Sequence, residues 1–361
     1  MTRYIFIGIA LLHGLIHLMG FAKAFQLADI TALNQQISRP AGVAWLIAAI
    51  LFILAMIVYL TGRSAWVFLA LPAVVLSQVL IISAWQDARF GTVANIVIAI
   101  VAIASLAGRH FELGYRKDAA AAVAAAAANP ARIITEADVA CLPAPVQQYL
   151  RYCGVQGKPQ PRSMYLVFEG QMRSRTRDWF PFRSEQYTVF ADPGRYFFMK
   201  GKMHGFQVPG YHRYRSGTSS MQIRLFGLYP VVQLQGGELD KGELVTWFNE
   251  LCVFAPAALV DKRIRWETVD EHSAKAWFTS RGITISAVLQ FSGQGQLIDF
   301  LSEDRFETED KKFYPFTTPI RKYEMVNGLL LSTYGETVWH YPEGDFTYGK
   351  FWLKELAYDI K

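Results

Sequence analysis

The chain has 361 residues, 52% of them hydrophobic, with 36 basic and 30 acidic side chains. Residues 1–110 hold only six of the basic and two of the acidic groups, so the rest of the chain is nearly neutral, with 30 basic and 28 acidic. Because nucleic-acid binding needs a basic face, this balance argues against a nucleic-acid partner.

Four stretches near the N-terminus lack any formally charged residue: 4–22, 40–62, 64–86 and 90–108. At about 1.5 Å per residue, each can cross a hydrocarbon core of about 30 Å as a helix. Helices also satisfy their own backbone hydrogen bonds there. The sequence therefore predicts a four-helix transmembrane module over residues 1–110. A signal peptide ending near Ala22-Lys23-Ala24 is not expected, because the first apolar run is long and three further spans follow.

Four spans place both ends of the module on one side of the membrane. Five Lys or Arg residues lie near that side, at Arg3, Arg63, Arg109, Arg116 and Lys117. The other side carries three, at Lys23, Arg39 and Arg89. This bias predicts a multi-pass protein of a bacterial inner (plasma) membrane, with cytoplasmic termini and a cytoplasmic second domain.

The direction of the spans should bring polar residues of three helices together. The first and third spans run the same way, and the fourth begins where the third ends, near the loop that follows the first span. We expect a cluster in which Lys23 or Arg89 forms an ion pair with Asp87. Its predicted members are His13, His17, Lys23, Gln78, Asp87, Arg89 and Asn95. Ionisable groups inside a membrane are functional candidates, and the alternative is that they only join the helices. Both histidines lie on one helix, so a haem held between two helices is not expected.

An alanine-rich linker, residues 111–134, follows the membrane module. Residues 119–128 are nine alanines and one valine, which predicts a spacer helix. From 135 to 361, apolar and polar residues alternate between short turns such as Asp192-Pro-Gly194, which predicts an antiparallel meander. One helix should interrupt it, with Leu244, Trp247, Phe248 and Leu251 on one face.

The predicted fold class is therefore an α+β membrane protein. Its transmembrane module precedes a mainly antiparallel β domain, a curved sheet or half-barrel of about ten strands with one or two helices. The many aromatic side chains of this domain suit either a solid core or a lined cavity. The three cysteines (Cys141, Cys153 and Cys252) include no C-x-x-C pair, which leaves either one disulfide or three thiols packed as small apolar residues.

Residues capable of chemistry are few in the β domain. His204 and His212 fall in neighbouring strands, and His340 precedes Glu343 and Asp345. Either set could form an acid–base or metal site, although surface turns commonly carry such residues. We find no G-x-S-x-G elbow, P-loop, H-E-x-x-H or Rossmann motif. The sequence therefore predicts no metal, no cofactor and no assigned catalytic residue, and it favours a non-enzymatic role.

Several segments resemble a bacterial family of unknown function. They include LPAPVQQYLR at 142–151 and PEGDFTY at 342–348, and residues 17–25 and 85–95 resemble a membrane module found fused to that family. This resemblance implies no activity. A Tyr-x-x-x-x-Gly-Leu hairpin, residues 323–329, is similar to lipoprotein-carrier-type half-barrels, which hold acyl chains in an apolar cavity. Because such carriers work outside the cytoplasm, that resemblance conflicts with the orientation given by the charges.

Three functions remain open at this point. The leading hypothesis is a non-enzymatic membrane protein whose β domain binds an apolar ligand, such as a lipid or acyl chain. A membrane-surface enzyme is the second. A small-solute or proton-coupled membrane module centred on His13 and His17, with the β domain as sensor, is the third. The expected partners are the lipid bilayer and an acyl ligand, and the oligomeric state is left open.

Overall fold

A computed structural model describes residues 2–130, 132–203 and 206–360. The chain divides into two compact units, Met1–Phe111 with Phe226–Leu228, and Glu112–Leu225 with Tyr229–Lys361. The helices are α1 Thr2–Ala24, α2 Arg39–Leu60, α3 Val67–Ser83, α4 Trp85–Ala88, α5 Gly91–Ala127, α6 Glu136–Ala140, α7 Ala144–Cys153 and α8 Glu238–Phe254. A short 3-10 turn, Ser64–Trp66, leads into α3.

Four helices are long and apolar enough to cross a bilayer: Arg3–Ala24, Arg39–Leu60, Ser64–Ser83 and Gly91–Ala127. This confirms the number and position of the predicted apolar helices. Large apolar side chains such as Ile50 and Leu54 are exposed on the outside of α2, as on a lipid-facing surface. Small residues such as Ala48 and Ala55 are buried, and small residues at helix interfaces allow close packing in membranes.

The fourth apolar helix and the alanine-rich segment are one continuous helix, α5. Within the second unit, its Tyr115, Ala119, Val123 and Ala126 are buried, and their spacing of three and four residues places them on one face. The Tyr115 ring stacks on Phe198 with 5.1 Å between ring centroids. The alanine-rich segment is thus helical, as predicted, but it packs on the sheet instead of forming a free spacer.

The β-rich part contains a curved, open sheet of 14 antiparallel strands. The order along the sheet is β8-β7-β6-β5-β4-β3-β18-β17-β15-β12-β11-β10-β9, with β16 paired to β17. Within the described residues β8 and β9 are not paired to each other, so the sheet does not close. The strands are β1 Arg132–Ile133, β2 Pro159–Gln160, β3 Ser163–Ser174, β4 Arg177–Val189, β5 Gly194–Met203, β6 Phe206–Arg215, β7 Thr218–Leu225, β8 Tyr229–Gln235, β9 Ile264–Asp270, β10 Ser273–Ser280, β11 Ile283–Phe291, β12 Leu297–Ser302, β13 Phe306–Glu307, β14 Lys312–Phe313, β15 Phe316–Thr317, β16 Ile320–Val326, β17 Leu329–Tyr341 and β18 Gly344–Tyr358.

Helix α8 connects the two edge strands and crosses one face of the sheet, where it contacts strands of both halves. The four apolar residues predicted for its inner face are all buried. Trp247 and Phe248 lie against Phe278, with ring centroids 5.0 and 5.7 Å away. The Tyr149 hydroxyl of α7 donates to the Cys252 carbonyl at 2.8 Å. This face of the sheet therefore carries a solid aromatic core. The three cysteines form no disulfide and are free thiols.

Candidate functional site

A buried hydrogen-bond network joins α1, α3 and α5 inside the first unit. The Ser77 hydroxyl lies 2.8 Å from His17 Nε2 and 3.2 Å from His13 Nε2. His13 Nε2 is also 2.9 Å from Asn95 Oδ1. The Asn95 amide donates to Ser77 and to Gln78 Oε1, both at 3.0 Å. These buried polar groups are shielded from solvent, and their hydrogen bonds hold the three helices together.

The contact of His17 with the backbone carbonyl of His13 fixes which atoms donate and which accept in this network. His17 Nδ1 faces the His13 carbonyl oxygen at 2.8 Å, so Nδ1 must donate. In a neutral ring, Nε2 of His17 then accepts from the Ser77 hydroxyl. His13 Nε2 in turn donates to Asn95. Every one of these contacts is satisfied with both rings neutral, as a buried polar network requires.

A groove of about 490 Å³ opens between α3 and α5 beside this network. Its lining residues are Val74, Val75, Gln78, Val79, Ile82, Thr92, Asn95, Ile96 and Ala99. The Gln78 amide donates to Thr92 Oγ1 at 3.2 Å across its floor. Because the polar groups bond to one another, the groove presents mainly apolar side chains. Such a site suits an apolar chain that carries a hydrogen-bonding group.

Four of the seven predicted cluster members are brought together: His13, His17, Gln78 and Asn95. Ser77 and Thr92 were missed, because a single hydroxyl residue in an apolar span carries no pattern of its own. Ser77 precedes Gln78 directly, so its chain position was the available signal.

The predicted ion pair of Asp87 with Lys23 or Arg89 is wrong. Among the described residues, the Asp87 carboxylate accepts hydrogen bonds from the backbone amides of Gln35 at 3.0 Å and Asn34 at 2.7 Å, and from the Asn34 side chain. The hydrogen bond from Gln35 is the main cause of the lowered pKa of Asp87. The loop after α1 therefore takes the place of a basic partner, and the Arg89 guanidinium lies over the Phe90 ring.

His212 lies beside a buried charged cluster between β5 and α8. The Arg195 guanidinium donates to Glu250 at 2.9 Å and to Glu243 at 3.2 Å. His212 Nδ1 is 3.6 Å from Glu243. Burial by itself raises the pKa of Glu243, but the contact with His212 and the charge of Arg195 outweigh it and lower the pKa to about 2. His204, the predicted companion of His212, lies outside the described residues.

This charged cluster, Arg195 with Glu243 and Glu250, was not found from sequence. Arg195 shares its strand face with the buried residues Phe197 and Met199, which is an unusual position for a charge. A basic residue on the apolar side of a strand was thus the signal that could have revealed it.

The third predicted set is only partly assembled. His340 Nδ1 lies 2.6 Å from Asp345, and its Nε2 lies 2.9 Å from the Thr317 hydroxyl. A hydroxyl, an imidazole and a carboxylate in this order occur in nucleophilic enzymes. Here Thr317 is buried and Asp345 is exposed, so the hydroxyl is not presented to a substrate. Glu343 is exposed in the adjoining turn.

Two further observations limit the chemistry of the β domain. No group of three metal-binding side chains occurs in the part of the chain that the structure describes. A pocket of about 80 Å³ lies near the chain end, lined by Lys158, Pro159, Pro161, Ala255, Ala257, Asn327, Leu329 and Tyr358. That volume is well below the roughly 300 Å³ of small-ligand sites and is too small for an acyl chain.

The solved structures similar to this chain include two proteins of known source. A LolA superfamily protein from Nitrosomonas europaea is 6% identical, with 62% of this chain and 94% of that chain covered and a TM-score of 0.34. A DUF1329 family protein from Desulfovibrio piger is 11% identical, with 60% and 92% covered and the same TM-score. Neither likeness is strong enough to assign a ligand.

None of the curated proteins matches this chain. The model of a family of unknown function, DUF6544, matches residues 132–351, which is more than half of the chain. The resemblance to a family of unknown function is thereby confirmed. The chain belongs to the DUF6544 family.

Proposed function

We propose that the protein binds a lipid or another molecule with an acyl chain, and that this ligand lies in the groove between α3 and α5. The observation that carries the proposal is a mainly apolar groove of about 490 Å³ with a hydrogen-bonded polar floor. This volume falls within the range of about 300–1,000 Å³ that is common for small-ligand sites. In the β domain, by contrast, α8 packs on one face of the sheet.

In the groove, apolar residues contact the acyl chain of the ligand, and polar residues contact its head group. Val75, Val79, Ile82 and Ile96 offer contacts to methylene groups. Little polar surface is open to the groove, so a ligand oxygen atom can bind only by taking over a hydrogen bond such as that of Gln78 to Thr92, which at 3.2 Å is among the longest in the network. That bond is therefore the one most readily exchanged.

Asn95 and the two histidines stabilise the polar side chains that line the groove. Asn95 is buried and bonded to His13, Ser77 and Gln78, so it fixes the orientation of Gln78. Since both histidines are satisfied in the neutral state, the geometry favours this orienting role over proton transfer. A network that only joined the helices would leave the groove without a specific occupant.

Two matched variants of the full chain test this proposal. Ala99→Phe fills the groove, whereas Ala94→Phe places the same ring at another half-buried position of α5 that does not line it. We expect native mass spectrometry in mild detergent to detect a co-purifying lipid in wild type and in Ala94→Phe, but not in Ala99→Phe. Thermal melting should be similar for both variants. Equal lipid occupancy in all three proteins would contradict the proposal.

A further inference from the structure

The β7–β8 hairpin concentrates exposed apolar surface at one edge of the sheet. Five large apolar side chains within nine residues are exposed by 37–68%: Phe226, Leu228, Tyr229, Val231 and Leu234. Over the other described residues of 132–360, exposed large apolar side chains occur singly, at Ile133, Val269, Ile298, Phe313 and Met325. Scattered single residues are ordinary, whereas a contiguous patch marks an interaction surface.

The charge pattern of this hairpin does not suit an aqueous edge. Residues 218–237 contain a single charged side chain, Arg224. An outer strand normally carries charges or is covered, because its free backbone groups otherwise pair with other chains. β8 is an outer strand without any charged residue, and only Pro230 interrupts its backbone donors. The edge of β8 therefore requires contact with an apolar surface.

The turn itself keeps an aromatic residue where the backbone does not favour one. Phe226 has φ +55° and Gly227 has φ +71°. Among residues other than glycine, a positive φ favours Asn or Asp, and bulky side chains rarely adopt this conformation. Such strain persists mainly where a side chain has a role. Phe226 thus stands at the tip for a reason other than turn formation.

We infer that the β7–β8 hairpin is a bilayer anchor whose tip residues Phe226, Leu228 and Tyr229 enter the lipid interface. The same chain carries four helices able to cross a bilayer, so a lipid surface is available to its soluble part. Tyrosine is enriched at the level of lipid head groups. This anchor is independent of the groove between α3 and α5.

A depth measurement on the full chain tests the anchor. In a Cys141→Ser background, which removes the exposed thiol, a single fluorophore is placed through Leu228→Cys or Val269→Cys. The two sites are matched, with 49% and 54% exposure on the two edges of the same sheet. In nanodiscs of phosphatidylcholine and phosphatidylglycerol with spin-labelled lipid, we expect several-fold quenching at 228 and little at 269.

Two outcomes of the same measurement would contradict the proposed anchor. Equal, weak quenching at both sites would overturn it, and so would self-quenching at 228 that depends on protein concentration, since a second copy would then cover β8. Phe226→Asn gives a further test, because asparagine suits the turn. It should keep or raise thermal stability and reduce quenching at 228. Unchanged quenching would remove Phe226 from the anchor.

Discussion

Replacing Arg195 by methionine should destabilise the β-rich part more than any surface substitution. Arg195 is buried and is the common partner of Glu243 and Glu250. Without it, two carboxylates remain buried near each other and uncompensated. Breaking a buried ion pair from one side costs about 3–5 kcal/mol.

The pH dependence of this loss has a defined sign. A carboxyl with a lowered folded pKa stabilises the fold above pH 4.5, and this stability is lost as the pH falls towards about 2. In Arg195→Met, protonating Glu243 instead removes an uncompensated charge. The deficit relative to wild type should therefore be largest at neutral pH and shrink below pH 4.5.

Hydrogen exchange of the α8 amides in the full chain measures this effect. A loss of about 3–5 kcal/mol corresponds to exchange faster by roughly two to four powers of ten when opening limits the rate. Arg183→Met is the matched control, since its pair with Glu169 is half exposed and contributes about 1 kcal/mol or less. Adding Glu243→Gln and Glu250→Gln to Arg195→Met should restore protection. Equal exchange in Arg195→Met and in the control would refute the reasoning.

Three further substitutions have defined outcomes. Asn95→Leu should cost about 1–2 kcal/mol of helix-packing free energy, so the melting temperature in detergent should fall. An unchanged melting curve would count against the network. Asp87→Ala removes three hydrogen bonds to the loop after α1, so limited proteolysis should cut residues 25–38 faster than in wild type. Asp299→Asn should stabilise the chain at pH 7 and not at pH 3, because burial raises the pKa of this carboxyl; chemical denaturation at the two pH values checks it.

Much of the fold follows from local physical rules. Charge-free runs of about twenty residues leave few options other than membrane helices, and tight turns between alternating segments fix the antiparallel order. The edge strands β8 and β9 were not predicted. β8 contains Pro230 and is exposed along nearly its whole length, so it lacks the alternation that reveals a half-buried strand.

The site was predictable only where helix direction decides position. His13 and Asn95 form a hydrogen bond because antiparallel helices bring them to the same level, and Ser77 connects both of them to His17. The partners of Asp87 belong to an irregular loop, whose backbone positions no periodicity encodes. The pairing of Arg195 with Glu250 joins a strand to a helix 55 residues later, and such a contact depends on the finished fold.

Photo-crosslinking with a diazirine-bearing fatty acid in nanodiscs tests the proposed function most directly. If the groove between α3 and α5 holds an acyl chain, adducts on the full chain should concentrate at residues 74–82 and 92–99. They should exceed those on the lipid-facing residues Ile47, Ile50 and Leu54 of α2, and Ala99→Phe should abolish the excess. Adducts spread evenly over α2, α3 and α5, and unchanged by Ala99→Phe, would contradict the account.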